Sequence, residues 1–233
     1  GIKLLQDSGI EVEVGLLEKE ANEINRGFIK RMKSGLPFVT SKIAMSLDGR
    51  TAMKNGESKW ITSEASRKDV QMLRSLNQAI MTGSGTIKSD NPMMTVRAEN
   101  TDSKPLRVVI DSNNIITDKS LNIFSADAET LILNNDNSKT LPSGKLDLKS
   151  ALIKLGEMGI NNLLVEAGSG LNGAMTEAGL IDEFIIYTAP LLLGSDANPM
   201  VELPLKKMSD KIKLNIVELS QIDRDIKIRA SIK

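Results

Sequence analysis

The segment "NNLLVEAGSGLNGAMTEAG", residues 161–179, carries the strongest indication of the fold class. It begins with an apolar run typical of a buried strand, continues through a glycine-rich turn and ends as a helix that Gly179 closes. The turn carries the pattern G-x-G-x-x-G at Gly168, Gly170 and Gly173. Glycines let a backbone approach a ligand closely, and a helix N-terminus offers free N–H groups to phosphate. Taken alone, the motif does not distinguish phosphate binding from tight helix–sheet packing without a ligand.

The position of this motif argues against the Rossmann dinucleotide-binding fold. The Rossmann fingerprint usually opens the first βαβ unit, and an acidic residue follows about 20 residues later at the end of the next strand. Here the glycines lie late in the chain, and Asp182 and Glu183 come before the next strand. Glu166 stands instead at the carboxyl end of the strand that precedes the loop. The segment therefore indicates a different α/β fold.

Strands and helices alternate outward from this segment. Strand-like runs lie at 37–49, 78–83 and 106–111, a helix is predicted over 62–76 with Thr62 or Ser63 as its cap, and the last two strands form a hairpin around 222–224. This order predicts an α/β fold with a mostly parallel central sheet, flanking helices and an antiparallel C-terminal hairpin. Residues 1–36 do not follow this alternation of strands and helices. In that segment we predict a short strand at 10–15 and a helix over 18–33.

A second glycine-rich turn, "TGSGT" at residues 82–86, also joins a strand to a helical turn. Two such turns in one sheet can face the same crevice at the strand ends. An ordinary turn without a ligand is the alternative for this motif.

The composition narrows the possible functions. The 233 residues carry 30 basic and 30 acidic side chains, and aromatic residues make up 3%. This balance gives no support to nucleic-acid binding. No apolar run approaches the ~20 residues of a membrane span. A small molecule is the expected ligand.

The chain contains neither cysteine nor histidine. Thiol nucleophiles, disulfides and zinc sites built on thiolate or imidazole are excluded, so we predict no metal site. Proton chemistry must fall to Asp, Glu, Lys, the single Tyr187 or water. The absence of cysteine fits a cytoplasmic location.

Several polar side chains are candidates for a site. Arg74 and Arg97 suit a bidentate grip on phosphate, although a single arginine is more commonly a solvated surface residue. Lys42 lies in an apolar strand, where its charge is costly unless it is paired or reaches a sheet edge. Trp60, taken alone, favours packing in the core.

Three long stretches, 37–62, 81–97 and 163–197, resemble the reductase domain of the bacterial riboflavin-biosynthesis bifunctional deaminase/reductase. The resemblance covers residues 37–233, and residues 1–36 are similar to the tail of a preceding deaminase domain and its junction. The H-x-E and P-C-x-x-C signature of the zinc deaminases is absent from this chain. The chain as given therefore lacks the residues for deamination by that mechanism.

This resemblance implies a dihydrofolate-reductase-like fold and NADPH as the hydride donor. It implies reduction of 5-amino-6-(5-phosphoribosylamino)uracil at ribose C1′ to the ribitylamino product. It also implies a homodimer, which we expect to form through the sheet edge or the late strands.

The resemblance further implies functional residues, position by position. The implied NADP contacts are Ala44, Trp60, Thr86, Asp90, Ser112, Gly168, Ser169, Gly170, Leu171, Asn172, Gly173 and Ala174. The implied substrate contacts are Ser58, Arg74, Met94 through its backbone, Arg97 and Glu166, with Lys42 and Thr62 as further candidates near the ribose. Asp90, Glu166 and Lys42 are the candidate catalytic residues. Asn91 departs from the acidic or small residue usual in the family.

Two other functions stay open at this point. A pteridine or folate reductase is expected to share the fold, but its substrate carries no phosphate for Ser58, Arg74 and Arg97 to hold. A non-catalytic nucleotide-binding module is expected to bind NADPH without oxidising it, since a fold alone does not establish activity.

Overall fold

A computed structural model describes residues 1–98 and 101–232 of the chain. Its strands are β1 (Phe38–Ser46), β2 (Arg50–Ala52), β3 (Ala79–Gly83), β4 (Leu106–Asp111), β5 (Thr130–Asn134), β6 (Asn162–Val165), β7 (Glu183–Ala189), β8 (Asn198–Pro199), β9 (Leu214–Ile222) and β10 (Asp225–Ile232). Its α-helices are α1 (Ile2–Asp7), α2 (Glu18–Ile24), α3 (Arg26–Ser34), α4 (Glu64–Ser75), α5 (Ser84–Asp90), α6 (Leu148–Glu157) and α7 (Ser169–Glu177). Short 3₁₀ turns cover Asn122–Phe124 and Met208–Asp210.

The main sheet has the strand order β5-β4-β3-β6-β1-β7-β10-β9. The pairs from β5 to β7 are all parallel, and β10 and β9 are added in antiparallel pairing. Strands β2 and β8 form a separate antiparallel pair. The predicted parallel sheet and C-terminal hairpin are therefore confirmed. Because β1 lies between β6 and β7, the edge-strand explanation of Lys42 is wrong.

Helices cover both faces of the sheet. On one face, the side chains of α6 and α7 pack against Val39, Ile43 and Val165 in the largest apolar cluster. On the other face, Ile87 of α5 joins Ile80 and neighbouring side chains, and Val70 of α4 packs near Tyr187. Ser63 caps α4 by accepting a hydrogen bond from the Ser66 amide at 3.2 Å, as predicted. Helix α4 is thereby fixed over the face that carries Lys42.

The N-terminal segment differs from its prediction in two ways. Residues 10–15 form no strand, and the helix expected over 18–33 is divided at Asn25 into α2 and α3. Helix α3 packs on the sheet at Gly27, where a Cβ atom would lie 2.7 Å from the Asn161 carbonyl oxygen. Arg26 donates to both carboxylate oxygens of Glu183 at 2.8 and 3.0 Å. These contacts attach α3 to the sheet and explain why it is a separate helix.

Candidate active site

Lys42, Arg74 and Glu166 form a buried ionic cluster beside the carboxyl ends of the central strands. Glu166 directly follows β6, and Lys42 is one residue beyond the Ser41–Val165 pair that joins β1 to β6. Arg74 comes from α4 and donates from Nε to Glu166 Oε1 at 2.5 Å and from Nη2 to Oε2 at 3.0 Å. Lys42 Nζ lies 3.9 Å from Glu166 Oε2. The structure thus brings together three of the predicted site residues.

Arg74 also connects this cluster to the chain segment that follows α5. Its Nη1 donates to the Thr95 carbonyl oxygen at 2.9 Å, and the Arg97 amide donates to Gln71 Oε1 at 2.9 Å. The predicted substrate contacts Met94 and Arg97 lie in this segment. Met94 is buried, with a φ of 50° that places its backbone in the left-handed region, whereas Arg97 is exposed. The segment is therefore held against α4 by named hydrogen bonds.

The charges in this cluster and its burial shift the pKa values of Glu166 and Lys42 for different reasons. Burial raises the pKa of Glu166, but the charges of Arg74, Lys42 and Arg97 outweigh burial and leave this pKa below its ordinary value. Burial lowers the pKa of the Lys42 ammonium, while Glu166 opposes that change and Arg74 adds to it. Glu166 is therefore an anion at neutral pH, and Lys42 gives up its proton more readily than an ordinary lysine.

The two glycine-rich turns lie side by side next to this cluster. Gly83 precedes α5 and Gly168 precedes α7, and their strands β3 and β6 are paired with Met81 opposite Val165. The Glu166 amide donates to the Met81 carbonyl oxygen at 2.9 Å. A Cβ atom added at Gly85 or Gly168 would meet no atom within 4 Å. Both helix starts are therefore open, as a shared crevice requires.

Gly173 has a different explanation from Gly168. A Cβ atom at Gly173 would lie 2.0 Å from the Glu202 carbonyl oxygen, so the residues around Glu202 pack directly on α7. Ser169 Oγ donates to Glu202 Oε1 at 2.7 Å. The side chain of Asn172 is buried, where it accepts from Ser41 Oγ at 3.0 Å and donates to the Ala167 carbonyl oxygen at 2.8 Å. Packing thus accounts for Gly173 and for the side chain of Asn172, while Gly168, Gly170 and Leu171 lie at the helix start.

The remaining predicted contacts are distributed around the same strand ends. Thr86 and Asp90 belong to α5, and Ala44 lies on β1 opposite Tyr187 of β7. Asp90 is half-buried and accepts from Ser89 Oγ at 3.0 Å. Ser112 directly follows β4, and its Oγ accepts from the Leu146 amide at 3.2 Å. Ala174 lies within α7. These positions agree with one cofactor crevice, but their contacts with a cofactor stay predictions.

Trp60 is 67% exposed, so the explanation that it packs in the core is wrong. The Arg67 guanidinium lies over its indole ring, 4.4 Å from the ring centroid, and Nη1 of Arg67 donates to the Thr62 carbonyl oxygen at 2.7 Å. Thr62 is buried and Ser58 is half-buried. The 58–62 stretch therefore presents an aromatic face to solvent in front of α4.

Sequence reasoning missed a second polar group on the same face. Tyr187 is buried, and its hydroxyl donates to Asp69 Oδ2 at 2.5 Å; Lys227 Nζ reaches the same oxygen at 2.7 Å. Burial, the Asp69 contact and the charge of Glu166 all raise the pKa of Tyr187. Because Asp69 and Arg74 share α4, this group fixes the helix that carries Arg74. The only sequence signal was that Tyr187 is the single tyrosine of the chain.

Within residues 1–98 and 101–232, no cluster of three or more His, Cys, Asp or Glu side chains is arranged to hold a metal ion. In the same ranges, no helix has the length and apolar character needed to cross a membrane.

Comparison with known proteins identifies the family of the chain. The family described as RibD C-terminal domain matches residues 37–228. The riboflavin biosynthesis protein RibD of Escherichia coli is 39% identical over 97% of this chain, which spans 68% of that protein. The 5-amino-6-(5-phosphoribosylamino)uracil reductase of Buchnera aphidicola is 36% identical over 78% of this chain and 99% of its own length.

Solved structures give the same fold. RibD of Acinetobacter baumannii superposes with a TM-score of 0.90 at 35% identity, covering 100% of this chain and 68% of that chain. Dihydrofolate reductase from Enterococcus faecalis superposes with a TM-score of 0.51 at 9% identity, covering 84% of this chain and 96% of that chain. The second match concerns the fold alone, and it confirms the predicted dihydrofolate-reductase-like architecture.

Proposed function

Because the chain belongs to the family of RibD C-terminal domains, we propose that it catalyses the NADPH-dependent reduction of 5-amino-6-(5-phosphoribosylamino)uracil to 5-amino-6-(5-phosphoribitylamino)uracil in riboflavin biosynthesis. One observation carries this proposal: the buried cluster of Lys42, Arg74 and Glu166 borders the two open, glycine-rich helix starts. A charged site for a polar substrate and a phosphate-binding crevice for a cofactor thus meet at the same strand ends.

Two open helix starts support a dinucleotide as the ligand of the crevice. Gly85 and Gly168 leave their helix starts open, and both helices direct free N–H groups and the positive end of a dipole to that space. By resemblance to the family, the residues expected to hold NADPH are Ala44, Trp60, Thr86, Asp90, Ser112, 168–171 and Ala174, while packing accounts for Gly173 and for the side chain of Asn172. When bound, NADPH supplies the hydride for ribose C1′. A preference for NADPH over NADH rests on the resemblance to the family and is part of the proposal.

The substrate's 5-phosphate is assigned to Ser58, Arg74 and Arg97. Arg97 is exposed, so its guanidinium is accessible to a ligand. Arg74 uses Nε, Nη1 and Nη2 for Glu166 and Thr95, which leaves one N–H on each terminal nitrogen for phosphate. In this assignment Arg74 joins the phosphate to the carboxylate of Glu166.

The ribosylamine ring must open to an imine before C1′ accepts hydride, and opening needs a proton on the ring oxygen. Lys42 is the donor, because burial lowers its pKa. Glu166 stays ionised and stabilises the cationic iminium by its charge, since its own pKa is lowered by the surrounding cations. Asp90, at the end of α5, adds a second negative charge and orients the substrate beside the cofactor.

We further propose a homodimer through the face of the C-terminal hairpin. Strand β9 is an edge strand, and its register with β10 places Leu214, Ile216 and Leu219 on the face of Ala230 and Ile228. These three side chains and Ile226 are exposed. An apolar stripe of this kind is typical of an interaction surface. The assignment of residues 1–36 to the tail of a deaminase domain and its junction, and a cytoplasmic location, complete the proposal by analogy with the family.

The decisive experiment follows NADPH oxidation with 5-amino-6-(5-phosphoribosylamino)uracil. We expect turnover by the wild-type chain, loss of turnover in Asp90→Ala with NADPH binding measured in parallel, and a higher KM for the dephosphorylated substrate. Turnover of dihydrofolate instead would support a folate-type reductase. NADPH binding without oxidation would support a non-catalytic module.

A further inference from the structure

The residue after Asp90 has an unusual backbone conformation and two fixed contacts. Asn91 ends α5 with a φ of 41°, in the left-handed region that asparagine adopts more readily than most residues. Its Oδ1 accepts from the Asn122 amide at 2.8 Å, and its carbonyl oxygen accepts from Asn122 Nδ2 at 2.7 Å. Asn91 is therefore held from both its side chain and its backbone by one residue of the 122–128 turn.

The buried guanidinium of Arg107 holds the 122–128 turn in place. Arg107 of β4 has no exposed surface, and its Nη1 donates to the carbonyl oxygen of Asn122 at 3.3 Å and to Ser125 Oγ at 3.1 Å. Its Nη2 donates to the carbonyl oxygen of Ser125 at 2.6 Å and to that of Ala128. Nη1 also donates to the carbonyl oxygen of Met93 at 3.2 Å.

Both ends of the 90–94 stretch thus depend on Arg107, one through Asn122 and Asn91, the other through Met93. In the described ranges Arg107 forms no ion pair within 4.0 Å. Backbone carbonyl oxygens and the Ser125 hydroxyl accept its hydrogen bonds, and together with the charge of Asp127 they offset part of the cost of burying the guanidinium. An apolar side chain would fill the same space without fixing these oxygens. The guanidinium is therefore a means of setting their positions.

Asp90 itself has little to fix its carboxylate. Its contact is with the adjacent Ser89 hydroxyl, so the backbone at residues 90 and 91 sets the direction of its side chain. We propose that Asn91, Asn122 and Arg107 are positioning residues that fix the carboxylate of Asp90 for the reduction. The proposal rests on the proposed function, in which Asp90 orients the substrate. Asparagine suits this position because it supplies the δ oxygen and tolerates the left-handed conformation.

The test compares variants of Asn91 in the full chain. Asn91→Gly keeps the left-handed φ and removes the oxygen, whereas Asn91→Asp keeps the oxygen. We expect Asn91→Gly to lower kcat at least about tenfold with a smaller change in the substrate KM, because a displaced catalytic group costs chemistry more than binding. Asn91→Asp should retain at least half of the wild-type kcat. Asp223→Gly, at another left-handed position in the exposed β9–β10 turn, is the matched control and should leave kcat unchanged.

Asn122→Ala tests the contact of the Asn122 side chain with Asn91. Because Asn122 is exposed, the substitution does not disturb the core. It removes the Nδ2 donor to the Asn91 carbonyl oxygen, whereas Asn91→Gly removes the acceptor of the Asn122 amide, so the two variants break different hydrogen bonds of the same attachment. Asn122→Ala should therefore also lower kcat, again with a smaller change in the substrate KM. A wild-type kcat in Asn91→Gly or in Asn122→Ala would overturn the proposal. Arg107→Met should give the same kinetic change, and a folded Arg107→Met variant with wild-type kcat would show that Arg107 has no positioning role.

Crystal structures of the two Asn91 variants separate this proposal from the proposed function. In Asn91→Gly the carboxylate of Asp90 should move by about 1 Å or more, the scale at which orientation affects rate. In Asn91→Asp it should superpose on the wild-type position. An unmoved carboxylate in Asn91→Gly would reject the positioning role, whatever reaction the wild-type chain catalyses. A moved carboxylate would support the role even if NADPH oxidation failed.

Discussion

Arg74 donates to both carboxylate oxygens of Glu166, from Nε at 2.5 Å and from Nη2 at 3.0 Å. The pair links α4 to the end of β6, and the same guanidinium binds the Thr95 carbonyl oxygen. One planar side chain therefore sets the direction of the site carboxylate and the path of the segment that carries Met94 and Arg97. A point charge cannot reproduce this arrangement.

The first prediction concerns Arg74→Lys, which keeps the positive charge and removes the two-pronged contact. We expect kcat/KM for the phosphoribosylamino substrate to fall about a hundredfold, as misplacement of a positioned group does. Steady-state kinetics would measure it. Arg26→Lys is the matched control, because Arg26 grips Glu183 in the same bidentate way outside the site. Equal losses in the two variants would show that the Arg74 effect is only structural.

The second prediction concerns the pH dependence of kcat. If Lys42 donates the proton, activity requires its protonated form and is lost as the pH rises through its pKa. Burial lowers that pKa, so the alkaline limb should lie below the range of an ordinary lysine. Glu166 raises the pKa of Lys42, so Glu166→Gln should move the limb to still lower pH. Profiles of kcat against pH for the wild type and for Glu166→Gln would measure this shift.

Lys42→Arg is the control for this assignment. A guanidinium stays protonated across the accessible pH range. The variant should therefore lose the alkaline limb together with most of the rate. A limb at the same pH in Lys42→Arg would assign it to another group.

The central sheet was predictable because it follows from local patterns, whereas the contact of Arg74 with Glu166 joins residues 92 apart, which only the resemblance to a family named together. Alternating strands and helices specify a parallel sheet, and the carboxyl ends of its neighbouring strands bring Lys42 close to Glu166. The contact of Tyr187 with Asp69 joins residues 118 apart, and no local pattern marks it. The exposure of Trp60 and the packing of Glu202 on Gly173 depend on paths of irregular chain, which composition does not specify.

The third prediction separates packing from cofactor binding within one glycine motif. Gly173→Ala should lower the free energy of unfolding by about 1–3 kcal/mol, because its Cβ would collide with the Glu202 backbone. Gly168→Ala meets open space and should leave unfolding unchanged. It should instead weaken NADPH binding several-fold, because a methyl group would occupy the opening of the crevice. Denaturant unfolding and NADPH titration would measure both variants.

The reverse pattern would contradict this division of roles. Wild-type NADPH affinity in Gly168→Ala would place the cofactor phosphates elsewhere. Wild-type stability in Gly173→Ala would mean that the segment around Glu202 moves away without cost.

The fourth prediction concerns the apolar stripe on the C-terminal hairpin. Ile216 and Leu219 lie on the face of β9 that continues the side of the sheet covered by α6 and α7. On that side Ile228 joins the largest apolar cluster. Both side chains are exposed, so lysine at these positions costs the isolated chain little. In a dimer interface the same lysines would be buried without partners. The double variant Ile216→Lys/Leu219→Lys should therefore weaken the dimer at least about a hundredfold, which corresponds to roughly 3 kcal/mol.

Sedimentation equilibrium over a range of protein concentrations would measure this change. Met208→Lys is the control, because Met208 is exposed outside the hairpin and its charge should leave association unchanged. Thermal unfolding of the monomeric double variant should match the wild type at concentrations where both are monomers, since the stripe contributes nothing to the isolated fold. A dimer that persists in the double variant would exclude this face as the interface, and the opposite edge strand β5 would then be the next surface to test.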